Sequence, residues 1–112
     1  MVVKVDDTVV AETHSPLLLC ETGLPVRYYL PKTSCNVELL EPSTTVTSCP
    51  YKGDANYYNI VINGKEYKDY IWWYRYPTPE SIAIAGKVCF YNEKVDIYLD
   101  GVKQERPKSK FG

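Results

Sequence analysis

Short apolar runs separated by turn residues dominate the chain, and no stretch holds apolar residues at helical spacing over three turns. Val2, Val3 and Val5 precede Asp6-Asp7, and Val9, Val10 and Ala11 follow, which reads as strand, polar turn, strand. Thr13-His14-Ser15-Pro16 breaks that pattern. Leu17-Leu18-Leu19-Cys20 is a short apolar run, and Val26-Arg27-Tyr28-Tyr29-Leu30 reads as a further strand closed by Pro31. Val37-Glu38-Leu39-Leu40 fits either a strand or a single helical turn. Residues 41–53 are rich in Pro, Ser, Thr and Gly, so a loop is expected there.

The second half reads as hairpins. Residues 57–62 have strand composition, and Asn63-Gly64 is the strongest hairpin signal, since both residues tolerate positive φ. The return strand begins at Lys65 and runs on through Tyr70 into Ile71-Trp72-Trp73-Tyr74-Arg75-Tyr76, ended by Pro77 and Pro79. Ser81-Ile82-Ala83-Ile84-Ala85 suits a short turn of helix. Residues 88–91 and 95–99, joined through Asn92-Glu93-Lys94, read as a final hairpin. With eight prolines and six glycines as punctuation, the fold class is all-β or β-dominated, a small single domain of antiparallel hairpins. Residues 1–100 form that domain and 101–112 a basic tail.

Length supports this reading: 112 residues suffice for one hydrophobic core and not for two. Eleven tyrosines against two phenylalanines put a hydroxyl on most rings, which suits half-buried faces and pocket walls. A net charge of −1, with basic residues gathered only in the tail, gives no field for nucleic acid. No apolar run reaches the roughly 20 residues of a membrane span, and acidic residues interrupt the N-terminus too early for a signal peptide. A cytoplasmic location follows as the simplest expectation. Cys20, Cys35, Cys49 and Cys89 include no Cys-x-x-Cys pair, so buried free thiols are expected rather than a metal site or disulfides. The only histidine, His14, lies in a turn beside a proline, which leaves histidine-dependent nucleophilic catalysis almost without material.

Three segments carry the candidate chemistry. On a strand, Arg27 and Tyr29 point one way and Tyr28 the other. Arg27 there offers a planar fork to a carboxylate or phosphate, or else pairs structurally with Glu21 or Glu41. In Cys49-Pro50-Tyr51-Lys52-Gly53, proline holds Cys49 extended and glycine permits a sharp turn, so Lys52 sits in a constrained loop beside a ring. Lys52 can bind an anion, act as a base or form an imine, and Cys49 is a thiol at a loop start. In residues 70–77, alternation puts Trp73 and Arg75 on one face and Trp72, Tyr74 and Tyr76 on the other. Each segment also has a plain structural use: an ion pair, a connecting turn, and cross-strand aromatic packing.

The run Glu21-Thr22-Gly23-Leu24-Pro25-Val26-Arg27-Tyr28-Tyr29-Leu30-Pro31, then Leu39-Leu40-Glu41-Pro42-Ser43, then Cys49-Pro50-Tyr51-Lys52-Gly53-Asp54-Ala55-Asn56-Tyr57-Tyr58, resembles the domain-of-unknown-function 427 family. Ile84-Ala85-Gly86-Lys87-Val88-Cys89-Phe90-Tyr91 looks like its closing motif, and the match runs from about Val2 to Leu99. The resemblance implies a small β-rich domain with a tent-like or barrel-like arrangement of sheets. The family also circulates under a nucleotidyltransferase-like name, yet this chain has no Gly-Ser followed by paired carboxylates for magnesium. Many members carry His where this chain has Ser48, so a scheme with that His as general base lacks its base here.

Together these features point to a small-molecule site with Lys52, Tyr29 and Glu21 as catalytic candidates. Arg27, Tyr28, Cys49, Tyr51, Tyr58 and Trp73 are the candidate ligand contacts, with no metal and no cofactor. Its catalytic form is acid–base isomerase, cyclase or lyase chemistry. The alternatives are a non-catalytic protein-interaction module using an aromatic face or sheet edge, and nucleotide transfer. The expected partner is a small molecule, with no nucleic acid or membrane, and a homodimer is an allowed assembly.

Overall fold

Two residues of left-handed backbone, Asp6 (φ 47°) and Asp7 (φ 63°), turn the first strand back on itself and set the register of the N-terminal hairpin. In the computed structural model, which describes residues 1–20, 23, 25–50 and 52–107 apart from the side chain of Glu80, ten strands follow in chain order. They are β1 (Val2–Val5), β2 (Thr8–Glu12), β3 (Leu17–Leu19), β4 (Arg27–Pro31), β5 (Leu40–Cys49), β6 (Gly53–Ile62), β7 (Lys65–Tyr74), β8 (Lys87–Phe90), β9 (Asp96–Leu99) and β10 (Val102–Lys103). They build two open antiparallel sheets and no closed barrel: a four-stranded sheet ordered β10-β9-β1-β2 and a six-stranded sheet ordered β3-β4-β8-β7-β6-β5. The helical segments among the described residues are short 3₁₀ turns at Lys32–Ser34, Val37–Leu39 and Pro79–Ile84, and none is long and apolar enough to cross a membrane.

One core joins the sheets. Val3, Val5, Val10, Val95 and Ile97 meet Leu30, Ile60, Ile71, Val88 and Phe90, all nearly excluded from solvent. On the opposite face of the six-stranded sheet lies a second, ring-rich cluster of Tyr29, Ala55, Tyr57, Trp72, Tyr74, Ile84 and Cys89. A strand shows alternate side chains to opposite faces, so one sheet serves both clusters.

The Asn63-Gly64 turn forms as expected, with φ of 50° and 83°. An Asn63→Ala variant should lose about 1 kcal/mol in a denaturant titration, because alanine lacks asparagine's tolerance of that conformation.

The structure corrects several expectations. Residues 41–53 are mainly strand: β5 pairs with β6 along its length, around an irregularity between Pro42 and Val46. Thr44, Thr45, Val46 and Thr47 favour strand, and an edge position tolerates Pro42 because one side of the strand needs no partner. Residues 88–99 are not a hairpin: β8 lies between β4 and β7, whereas β9 pairs with β1 and β10, so residues 91–95 cross from one sheet to the other. Val37–Leu39 resolves as a 3₁₀ turn rather than a strand. Cys20 is exposed, while Cys35 and Cys89 are buried, and all four thiols are free. The first residues of the basic tail belong to the sheet as β10, and Arg106 donates to Asp96 Oδ1 at 3.0 Å.

Candidate functional site

Register gathers the second cluster into a row. Tyr29 pairs with Cys89, Cys89 with Trp72, and Trp72 with Tyr57, so one line of side chains crosses β4, β8, β7 and β6 on a single face. Neighbouring strands lie about 4.8 Å apart, so Tyr29 and Trp72 flank Cys89 from strands two spacings apart. The small thiol lets the rings lean over it to an edge-to-face contact at 6.5 Å, where Trp72 Nε1 donates to Tyr29 Oη at 3.3 Å. Cys89 is completely buried, and burial pushes its thiol well above the ordinary range, so it fills space as a neutral group.

Above this row opens a cavity of about 200 Å³ lined by Pro25, Arg27, Tyr29, Lys52, Tyr57, Trp72, Tyr74 and Tyr91. Arg27 reaches it from the start of β4, two residues before Tyr29 and on the same face. Lys52 reaches it from the turn between Cys49 and Gly53, which are cross-strand partners at the end of β5 and the start of β6. That turn is docked on the chain beyond β7, where the Thr78 amide donates to the Lys52 carbonyl at 3.0 Å. Tyr91 follows β8 directly, its ring 4.4 Å from that of Trp72.

Arg27 is held from below. Nη1 donates to Asn92 Oδ1 at 2.6 Å and to Glu93 Oε1, and Nη2 donates to Glu93 Oε2 at 3.0 Å. Asn92, itself buried, is fixed by donating from Nδ2 to the Val26 carbonyl at 2.9 Å. Burial works against both charges, but their mutual hydrogen bond and attraction outweigh it. Arg27 therefore sits above its ordinary value and Glu93 below the usual carboxylate range. The guanidinium lies 5.1 Å from the centre of the Trp72 ring and 5.9 Å from that of Tyr91. Burial, then the hydrogen bond to Tyr57, raises the Tyr91 phenol well above its ordinary value, so Tyr91 stays protonated at neutral pH.

The expected site residues are divided by the sheet. Arg27, Tyr29 and Lys52 come together on the cavity wall. Cys49 packs against the same cluster but does not line the cavity. Tyr58 and Trp73 stack on each other on the opposite face, 5.9 Å apart and 17° from parallel. Lys32 Nζ donates to Tyr58 Oη there at 2.6 Å, and the Arg75 guanidinium lies 5.3 Å from the Trp73 ring centre. Tyr28 lines a separate cleft with Val95, Ile97 and the tail residues Gln104 to Pro107. Glu21 and Tyr51 lie outside the described residues. Arg27 has Glu93 as its carboxylate, whereas Glu41 lies on the edge strand β5.

Sequence reasoning named neither Glu93 nor Asn92 as partners, and it preferred Trp73 to Trp72 as a ligand contact. The alternation around Trp72 contained a usable signal, because Trp72 and Tyr74 share a face with each other and not with Trp73. Both are buried, 8% and 6% exposed, rather than spread on a flat outer patch. Among the described residues, no three His, Cys, Asp or Glu side chains group so as to hold a metal ion.

No curated protein matches the chain. A family model described as Domain of unknown function (DUF427), labelled NTP_transf_9, matches residues 1–101. That match spans both sheets up to β9 and every described wall of the cavity, and the chain belongs to the DUF427 family.

Proposed function

We propose that this cavity is a binding site for a small, flat-bodied, anionic molecule. The observation that carries the reading is the meeting of Arg27 and Lys52 on one wall with four tyrosines and a tryptophan. Rings offer apolar faces for a planar body, and hydroxyls and ammonium offer donors for its charged end. No carboxylate lines the described wall, since Glu93 lies behind Arg27. A volume of about 200 Å³ is below the roughly 300 Å³ at which pockets for drug-sized ligands begin, so a ligand of one or two rings fits.

In its catalytic form the site acts as an acid. Lys52, Tyr29 and Tyr91 put proton-bearing groups on the wall beside a bound carbonyl or carbanion, whereas Glu93 is tied up by Arg27 and is a poor base. The four free thiols support a cytoplasmic, reducing compartment. An interaction module built on Trp72 and Tyr74 would need those rings outside, and their burial speaks against that use.

Calorimetry with a nitrobenzoate and a nitrobenzylamine of the same shape tests the reading. The anion should bind in the millimolar range or better and the amine at least about tenfold more weakly, with Lys52→Met narrowing that gap. Equal binding of amine and anion would remove the electrostatic half of the proposal. Magnesium-dependent binding of a nucleoside triphosphate in place of either would favour nucleotide transfer instead.

A further inference from the structure

On the face of the six-stranded sheet opposite the cavity, two unlike charges share a cleft without meeting. Val46 pairs with Asn56 and Asn56 with Trp73, so one row of side chains crosses β5, β6 and β7 on that face. Two residues further along the same face, Asp54 stands on β6 beside its partner Ser48. Arg75 lies in the same direction, just past the end of β7. Val46, Asp54, Asn56, Arg75 and Tyr76 line a cleft of about 330 Å³ there. Gly53 seats the chain beyond β7 at this spot, because it has no Cβ to meet the Tyr76 carbonyl.

Neither charge is used up. Arg27 and Arg106 each have a carboxylate partner, Glu93 and Asp96. Arg75 has none among the described residues, and no hydrogen bond; its guanidinium lies over the Trp73 ring, 5.3 Å from the centre. A ring contact engages the face of a guanidinium and leaves the N–H groups at its edge for a carboxylate. Asp54 accepts from Ser48 Oγ at 2.9 Å through Oδ1, while Oδ2 has no donor among the described residues. Arg75 and Asp54 are both exposed and form no ion pair with each other. The gap between them is therefore wider than a direct contact.

We infer that this cleft is a second binding site, for a small zwitterion that bridges the two charges. Its carboxylate takes the Arg75 fork and its ammonium takes Asp54. Asn56 adds one donor group and one acceptor, and the exposed Val46 and Tyr76 offer an apolar side for the ligand's body. A ligand with only a negative group would meet the Asp54 charge, and one with only a positive group would meet Arg75, so each is disfavoured by one end. An amino acid with an apolar side chain is the simplest member of this class. The inference is independent of the cavity, which lies on the other face and has no described carboxylate for an ammonium.

The test uses the full chain and three probes of one shape. Phenylalanine carries both charges, 3-phenylpropionate lacks the ammonium, and phenethylamine lacks the carboxylate. Binding is read from the Trp73 indole and Asn56 side-chain signals in a two-dimensional proton–nitrogen spectrum. Phenylalanine should bind in the millimolar range and about fivefold more tightly than either of the others, the upper end of what one exposed charge pair contributes. Arg75→Gln should remove the advantage over phenethylamine and keep the advantage over phenylpropionate; Asp54→Asn should do the reverse. Added salt should shrink both advantages. Near-ultraviolet circular dichroism checks that both variants keep their packing. Equal binding of phenylalanine and either single-charge probe, or an advantage that survives its matching variant, overturns the zwitterion site. So do shifts at Trp72 in place of Trp73, or no shift with phenylalanine at all. Each of these results leaves the cavity reading standing.

Discussion

Glu93→Gln should lower stability at neutral pH by about 2–3 kcal/mol, read as a lower denaturant midpoint. An exposed ion pair contributes at most about 1 kcal/mol, while removal of one partner from a buried pair costs about 3–5 kcal/mol. Arg27 and Glu93 have side chains 18% and 20% exposed, so the expected loss lies between those limits. Glutamine keeps the size and one acceptor, so the loss isolates the unpaired guanidinium rather than a packing defect. Replacing both partners, as Arg27→Met with Glu93→Leu, should cost less than the sum of the single changes, because no charge is then stranded.

The same pair fixes an acid limb. Glu93 has a folded-state value below its unfolded one, so its contribution is complete above roughly pH 4.3 and is lost as pH falls through the folded value. The buried thiols work in the opposite direction. Cys35 is pushed up to about 11 and Cys89 further, both by burial, so their contributions are complete below roughly pH 8.5 and are lost as pH rises toward the folded values. Glu93→Gln should flatten the acid limb and leave the alkaline limb in place. A stability profile in which both limbs shift together would contradict this assignment.

Gly53→Ala is the second large effect, expected at about 2–6 kcal/mol in the same titration. Gly53 has φ of +108°, which costs a residue with a side chain about 1–3 kcal/mol. A Cβ there would also stand 2.9 Å from the Tyr76 carbonyl oxygen, a backbone atom that cannot rotate away, at a further cost of about 1–3 kcal/mol. Gly64, at φ +83° with nothing within 4 Å of an added Cβ, carries only the conformational part and serves as control. The position has a functional side. Relief of the clash moves the turn that carries Lys52 away from the chain beyond β7, so ring-anion affinity should fall in Gly53→Ala and stay unchanged in Gly64→Ala.

Much of the fold was legible because local signals agreed with the final pairing. Asp6-Asp7 and Asn63-Gly64 mark their turns through positive φ, and the valines and isoleucines beside them alternate as strands do. Residues 41–49 misled because their Pro, Ser and Thr content suits a loop as well as an edge strand, and only the partner β6 decides between them. Residues 88–99 misled for a related reason. A three-residue polar break looks the same whether the next strand returns to its neighbour or crosses to another sheet.

At the site, alternation was enough to separate Arg27 and Tyr29 from Tyr28, and Trp72 from Trp73. It could not say which tryptophan shares a face with Lys52, since that depends on the order β4-β8-β7-β6 and not on any one segment. The pairing of Arg27 with Glu93 spans 66 residues and the whole run of strands β5 to β8, and neither residue stands in a motif that names the other. The Cys-Pro-Tyr-Lys-Gly turn was legible as a constrained loop with a lysine. That the loop faces Arg27 across a ring-lined hollow is a property of the assembled sheet.

The two tryptophans, on opposite faces of one sheet, give the most direct test of the site. In a two-dimensional proton–nitrogen spectrum their indole N–H signals are assigned with Trp72→Phe and Trp73→Phe, and 4-nitrophenolate is titrated into the full chain. If the cavity is the ligand site, the Trp72 indole signal and the amides of Lys52 and Tyr91 shift on one saturable curve, while the Trp73 signal stays in place. Shifts gathered at Trp73, Tyr58 and Lys32, with Trp72 unmoved, would put binding on the other face and contradict the assignment.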